Sequence, residues 1–207
     1  ICDMHMQDFP LWLSEGFILN QLWFHGAFQD LYVLNPYFPP NAISQTFIAL
    51  MSVVLHPFQA AQLFILLAGL FVFSGLYLYM KLSLPESPRI NAAVAFAFTL
   101  NYTFFMGNMN YYFGFGFALV AFYLIRKNGL LTHGRPMWIA VPSLALLFLL
   151  AYGSHFFSIA ILGLLLVIYV FREKLYCGLI SMAVAALPVA GFFAHYVLVK
   201  KQYVNFE

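Results

Sequence analysis

Six apolar runs, at Phe58 to Met80, Ile90 to Met106, Tyr111 to Ile125, Met137 to Tyr152, Phe156 to Phe171 and Leu175 to Val199, alternate with short polar connections. Each is predicted to be a membrane-spanning helix, since roughly 20 apolar residues cross a hydrocarbon core of ~30 Å. Several are shorter than that, so their ends must borrow flanking polar residues or the bilayer must thin locally. Upstream, Asn41 to His56 carries Ile43, Phe47, Leu50, Met51 and Val54 on one helical face and Gln45, Ser52 and His56 on another. That is the pattern of a helix lying in the membrane interface. Leu11 to Phe24 reads similarly, with Trp12 and Trp23 as interface anchors. Between these two helices the run Asn35-Pro36-Tyr37-Phe38-Pro39-Pro40-Asn41 is a rigid turn that ends at a helix cap. The expected fold is all-α: a polytopic transmembrane helical bundle of about six spans with two outer interfacial helices. Residues 1–57 form an extracytoplasmic loop and 58–207 the transmembrane helical domain.

Composition supports the bilayer as solvent. Only 8% of the 207 residues are charged and 64% are hydrophobic, too few charges to clothe a soluble core of this size. The bases are not scattered. Lys81 and Arg89 flank the first connection between spans, Arg126, Lys127 and Arg135 the third, and Arg172 and Lys174 the fifth, whereas 107–110 and 153–155 carry none. The positive-inside rule places the basic connections in the cytoplasm and the amino-terminal loop outside, with Lys200 and Lys201 as the discordant pair. Counting Asn41 to His56 as a span would invert every later connection, which is a second reason to lay that helix flat. A net charge of +2, its bases divided among several connections, is too small to suggest a nucleic-acid partner, and none is expected. Cys2 and Cys177 lie in different environments, so no disulfide framework is expected. The chain begins at Ile1, without an initiator methionine or a signal sequence, and is expected to be a fragment.

Chemistry concentrates at the amino terminus. Asp3, Asp8, Glu15 and Asp30 fall in the first thirty residues, where there is no lysine or arginine. An unneutralised acidic face beside a low-dielectric slab can supply a general base or hold a divalent cation, and it can equally be a solvated loop. Asp8, ahead of Phe9-Pro10, is either a catalytic carboxylate or the cap of the next helix. Asp3, His5 and Asp8 offer a weak metal-ligand set. Glu15 follows Asp8 by two helical turns. His56 and His155 are supporting candidates, His155 and His195 being histidines near the outer ends of spans that are either functional or hydrogen-bonded to a neighbouring helix. No paired-histidine motif supports haem or another pigment. Gly114 and Gly116 allow close helix approach.

Taken together, Gln7-Asp8-Phe9-Pro10, Tyr37-Phe38-Pro39-Pro40-Asn41, the turn Phe105 to Tyr111 with its glycine-rich span, and Gly153-Ser154-His155 give the chain a pattern that resembles the C-type (GT-C) membrane glycosyltransferases of bacteria. The resemblance implies transfer of a sugar from a polyprenyl-phosphate donor at the outer face of the cytoplasmic (inner) membrane. It places the catalytic acid at Asp8, with Asp3 and Glu15 in support. Two departures are the missing first transmembrane helix, which should precede this loop, and the missing second member of the adjacent acid pair found in many such enzymes. The alternative is a non-catalytic subunit of a larger respiratory or photosynthetic membrane complex, its helices packed on lipids and other membrane subunits. A transporter is disfavoured because no charged residue lies deep in a span.

Overall fold

The structure, a computed structural model, describes residues 9–32, 40–100, 108–132 and 134–204. Among these it is all helical. The elements are α1 (Phe9–Asn20), α2 (Ile43–Met51), α3 (Pro57–Ser83), α4 (Pro88–Thr99), α5 (Met109–Lys127), α6 (Met137–Ser154), α7 (Phe156–Arg172) and α8 (Cys177–Val204). Helices α3 to α8 stand where the six apolar runs predict them. Three stretches, Pro57–Ser83, Met137–Ser154 and Cys177–Leu198, are both long and apolar enough to cross a membrane, and α7 is a shorter apolar helix. Helix α5 has 19 residues but carries Asn110, Arg126 and Lys127 towards its ends. The described part of α4 has 12 residues.

Side-chain register fixes the directions of the helices. Phe64 meets Phe113 at 5.5 Å near the starts of α3 and α5, and Tyr79 meets Phe122 at 6.0 Å near their ends, so these two helices are parallel. Tyr111 meets Phe157 at 6.3 Å and Phe122 meets Tyr169 at 5.9 Å, which makes α5 and α7 parallel in turn. Helices α4, α6 and α8 run the other way between them. At one end of α4 the Tyr112 hydroxyl donates to the Thr99 carbonyl, and at the other Asn91 donates to the Leu84 carbonyl at 2.8 Å. Up-down alternation puts connections 84–87, 128–136 and 173–176 at one end of the bundle, together with Lys81, Arg89, Arg126, Lys127, Arg135, Arg172 and Lys174. At that end Arg126 also lies over the Tyr169 ring at 5.4 Å. The amino-terminal helices, the start of α5 and the α6–α7 junction occupy the opposite end.

Two apolar clusters hold the bundle. One gathers Phe122, Ile125, Leu144, Phe148, Leu162, Leu166 and neighbours between α5, α6, α7 and α8. The other gathers Trp12, Ile48, Phe64, Val72, Met109 and Tyr112 where α1 and α2 cover α3 and α5. The tightest crossing is α3 against α5. A Cβ on Gly116 would lie 2.5 Å from the Val72 nitrogen and 2.6 Å from the Phe71 carbonyl carbon, and one on Gly75 would lie 2.6 Å from the Gly116 oxygen. Small residues let the two backbones touch, which in lipid is a principal source of helix association.

At the amino-terminal end, α1 packs on α2 through Gly16, where a Cβ would meet the Ile48 side chain at 2.7 Å, and through the buried Asn20, whose Nδ2 donates to the Ala49 carbonyl at 2.8 Å. Helix α2 has nine residues, about 14 Å at 1.5 Å per residue, and cannot be a span. Three expectations need correction here. Trp12 is not an interface anchor: it is 5% exposed and packs edge-on against Phe64 at 6.1 Å, because α1 lies on the bundle rather than beside it. Trp23 remains exposed. Of the expected apolar face of α2 only Leu50, at 51% exposure, points outward, while Ile43, Phe47 and Met51 pack on the second cluster beside the buried Ser44, Ile48 and Ala49, and the helix ends at Met51, well short of His56. Asn41 does not cap α2: it adopts φ +68, a left-handed conformation that asparagine tolerates, and the position before the helix is Ala42.

Candidate functional site

A cleft of about 300 Å³ opens at the end of the bundle opposite the seven clustered bases, the end towards which α8 carries Lys200 and Lys201; it is lined by residues of α1, α2, α5 and the α6–α7 junction. Glu15 is its only charged side chain among the described residues. Gln45, Asn41, Asn108 and Asn110 supply amides, Trp12 and Tyr111 aromatic surface, and His155 an imidazole.

Hydrogen bonds position several of these groups. Helix α1 projects Glu15 towards α2, where Oε2 accepts from Gln45 Nε2 at 2.7 Å, and Gln45 Oε1 accepts in turn from the Ser44 hydroxyl at 3.0 Å. Asn110 ties two segments together. Its Oδ1 accepts from the Ser44 backbone N–H at 3.1 Å and its Nδ2 donates to the Asn41 carbonyl at 2.8 Å. One side chain from the start of α5 thus satisfies a first-turn N–H of α2 that no local cap reaches, and fixes the chain entering it. Nothing in the local sequence marks Asn110 for this role, because its partners lie more than sixty residues earlier.

His155 stands between two helices. With φ −168 and ψ 144 it breaks α6, and its Nδ1 accepts from the Phe157 N–H at 3.1 Å as the cap of α7. Tyr111 meets its ring edge-on at 5.3 Å and Phe157 stacks on it at 5.6 Å. Burial pushes the imidazole below its ordinary pKa, so the folded state favours the neutral ring. The sign follows: above the unfolded value of roughly 6.5 the group costs nothing, and stability falls as pH drops below it, because the unfolded chain takes the proton first.

The structure therefore brings Glu15 and His155 into one cleft. His56 is elsewhere: it caps α3, its Nδ1 accepting from the Phe58 N–H at 3.3 Å while its own N–H donates to Gln59 Oε1 at 3.2 Å, and it does not line the cleft. His195 lies on α8, exposed, at the same end of the bundle. Asp3, His5 and Asp8 lie outside the described residues, as does most of the turn before Asn41; α1 begins at Phe9, directly after Asp8. No group of three acidic, histidine or cysteine side chains suited to a metal exists among the described residues. Gly114 and Gly116 serve packing, at the contacts with α7 and α3.

No family model matches the chain, and neither a curated protein nor a solved structure resembles it significantly. The function must be argued from the cleft itself.

Proposed function

We propose that this chain is the outward-facing part of a membrane transferase that moves a sugar from a polyprenyl-phosphate donor, with the cleft between α1, α2 and the α6–α7 junction as the place where the sugar sits. The supporting observation is the cleft's composition among the described residues: one carboxylate, several amides, one imidazole, and the rings of Trp12 and Tyr111. Amides and carboxylates hydrogen-bond hydroxyls, and aromatic faces take the apolar side of a sugar ring. By the positive-inside rule, seven bases gathered at the opposite end make that end cytoplasmic and turn the cleft outward. A lipid-linked substrate would enter from the membrane beside α2, whose outer face exposes Leu50 and continues into the exposed Val53 and Val54.

Catalysis in this reading needs a base to take the proton of the acceptor hydroxyl as it attacks the anomeric carbon and the lipid phosphate departs. Asp8 holds that role by resemblance. Glu15 is the carboxylate of the cleft itself. A divalent cation, if one assists, would draw on Asp3, His5 and Asp8. The complete protein, reconstituted in lipid and offered a panel of polyprenyl-phosphate sugars, should transfer sugar to acceptor glycans. Asp8→Asn, which retains a capping oxygen, should fold as the wild type and lose roughly 10²-fold in rate. Equal rates for the two would remove Asp8 from the mechanism. No transfer by a folded, complete wild type would favour the alternative, a non-catalytic subunit of a larger membrane complex.

A further inference from the structure

The capping bond of His155 has a chemical consequence. An imidazole nitrogen that accepts a backbone N–H must present its lone pair, so Nδ1 is unprotonated and the neutral ring carries its hydrogen on Nε2. The ring is wedged between Tyr111 and Phe157, which oppose rotation. The other titratable groups lining the cleft are the Glu15 carboxylate from α1 and the Tyr111 hydroxyl from α5; no lysine or arginine lines it among the described residues.

We propose that the cleft is a seat for a sugar ring, with His155 as a fixed Nε2–H donor to a ring hydroxyl or ether oxygen and Glu15 as the opposing acceptor. This rests on the saccharide reading above and sharpens it. Glu15 is hydrogen-bonded to Gln45, an amide, and no lysine or arginine lines the cleft beside it among the described residues. Sugar hydroxyls can give to Glu15 and accept from His155. His155 acts here as a positioning and specificity residue. Its capping bond keeps Nδ1 occupied, so it does not serve as the base.

The test uses the full chain in lipid nanodiscs, labelled with ¹⁵N-histidine, His155 being assigned by the signal that His155→Asn removes. At pH 7 the His155 signals should show an unprotonated Nδ1 and a protonated Nε2. A panel of methyl glycosides of glucose, mannose, galactose and N-acetylglucosamine is then titrated. At least one glycoside should shift the Nε2 signal. His155→Ser keeps a capping oxygen but cannot reach the cleft. It should match wild type in thermal stability and lose about tenfold in glycoside affinity, while His155→Asn, which keeps cap and donor, should lose less. An Nδ1–H tautomer or an imidazolium at pH 7, or no glycoside shifting the signal, would each overturn the proposal. Glycoside binding without transfer would instead count against the transferase reading alone.

Discussion

Gly116→Ala is expected to disrupt the bundle. The added carbon would sit 2.5 Å from the Val72 nitrogen and 2.6 Å from the Phe71 carbonyl carbon, both backbone atoms of α3 that cannot rotate away as a flexible side chain would. Relief requires α3 and α5 to separate, and Gly75, which faces the Gly116 oxygen at the same crossing, offers no slack. Separation opens the packing of Phe64, Phe71 and Phe113 above the crossing, where Phe71 and Phe113 are 4.8 Å apart. Overpacking of this kind costs about 1–3 kcal/mol where side chains can adjust, and more is expected where backbones collide. Thermal unfolding in detergent should show a midpoint lowered by several degrees or a loss of folded material. Gly163→Ala is the control: a Cβ there meets nothing within 4 Å, and its midpoint should match wild type. Equal stability of the two variants would mean that α3 and α5 do not cross at these glycines.

Replacing Glu15 by Gln should leave the cleft's shape intact and remove its charge. The new amide still offers an oxygen to Gln45 Nε2, so the link from Ser44 through Gln45 to position 15 survives. What is lost is the only charged group lining the cleft among the described residues. If the carboxylate orients or deprotonates a sugar hydroxyl, transfer should drop by roughly 10²-fold with unchanged thermal stability. Transfer within about twofold of wild type would show that Glu15 merely ties α1 to α2.

The helical bundle was legible in the sequence because hydropathy is the dominant constraint on a chain whose solvent is lipid. The run Phe58 to Met80 lies within α3, Pro57–Ser83, and Met137 to Tyr152 within α6, Met137–Ser154. Alternation of Lys81 and Arg89 with base-free connections was legible too, and the parallel pairs α3/α5 and α5/α7 agree with it. Which helices touch was not legible. Gly116 was legible as a point of close helix approach, but its partner at the crossing, Gly75, carries no mark that separates it from Gly69 and Gly163, which face open space. Trp12 reads as an interface anchor because tryptophan favours the membrane–water boundary, and only the docking of α1 on Phe64 buries it. At the site, Glu15 and His155 were each visible as an ionisable residue in an apolar context. Their sharing of one cleft depends on Asn110 and Gln45, ordinary polar residues whose partners are distant in sequence.

The proposed outward placement of the cleft carries the functional reading, and thiol accessibility in intact cells tests it most directly. Gln29 and Asn128 are both exposed and lie at opposite ends of the molecule, Gln29 beyond α1 on the cleft side and Asn128 in the basic connection after α5. In the complete protein, with Cys2 and Cys177 replaced by serine, an impermeant maleimide should label Gln29→Cys and leave Asn128→Cys unlabelled until the membrane is permeabilised. Labelling of Asn128→Cys but not Gln29→Cys in intact cells would place the cleft in the cytoplasm and contradict the outward-facing site.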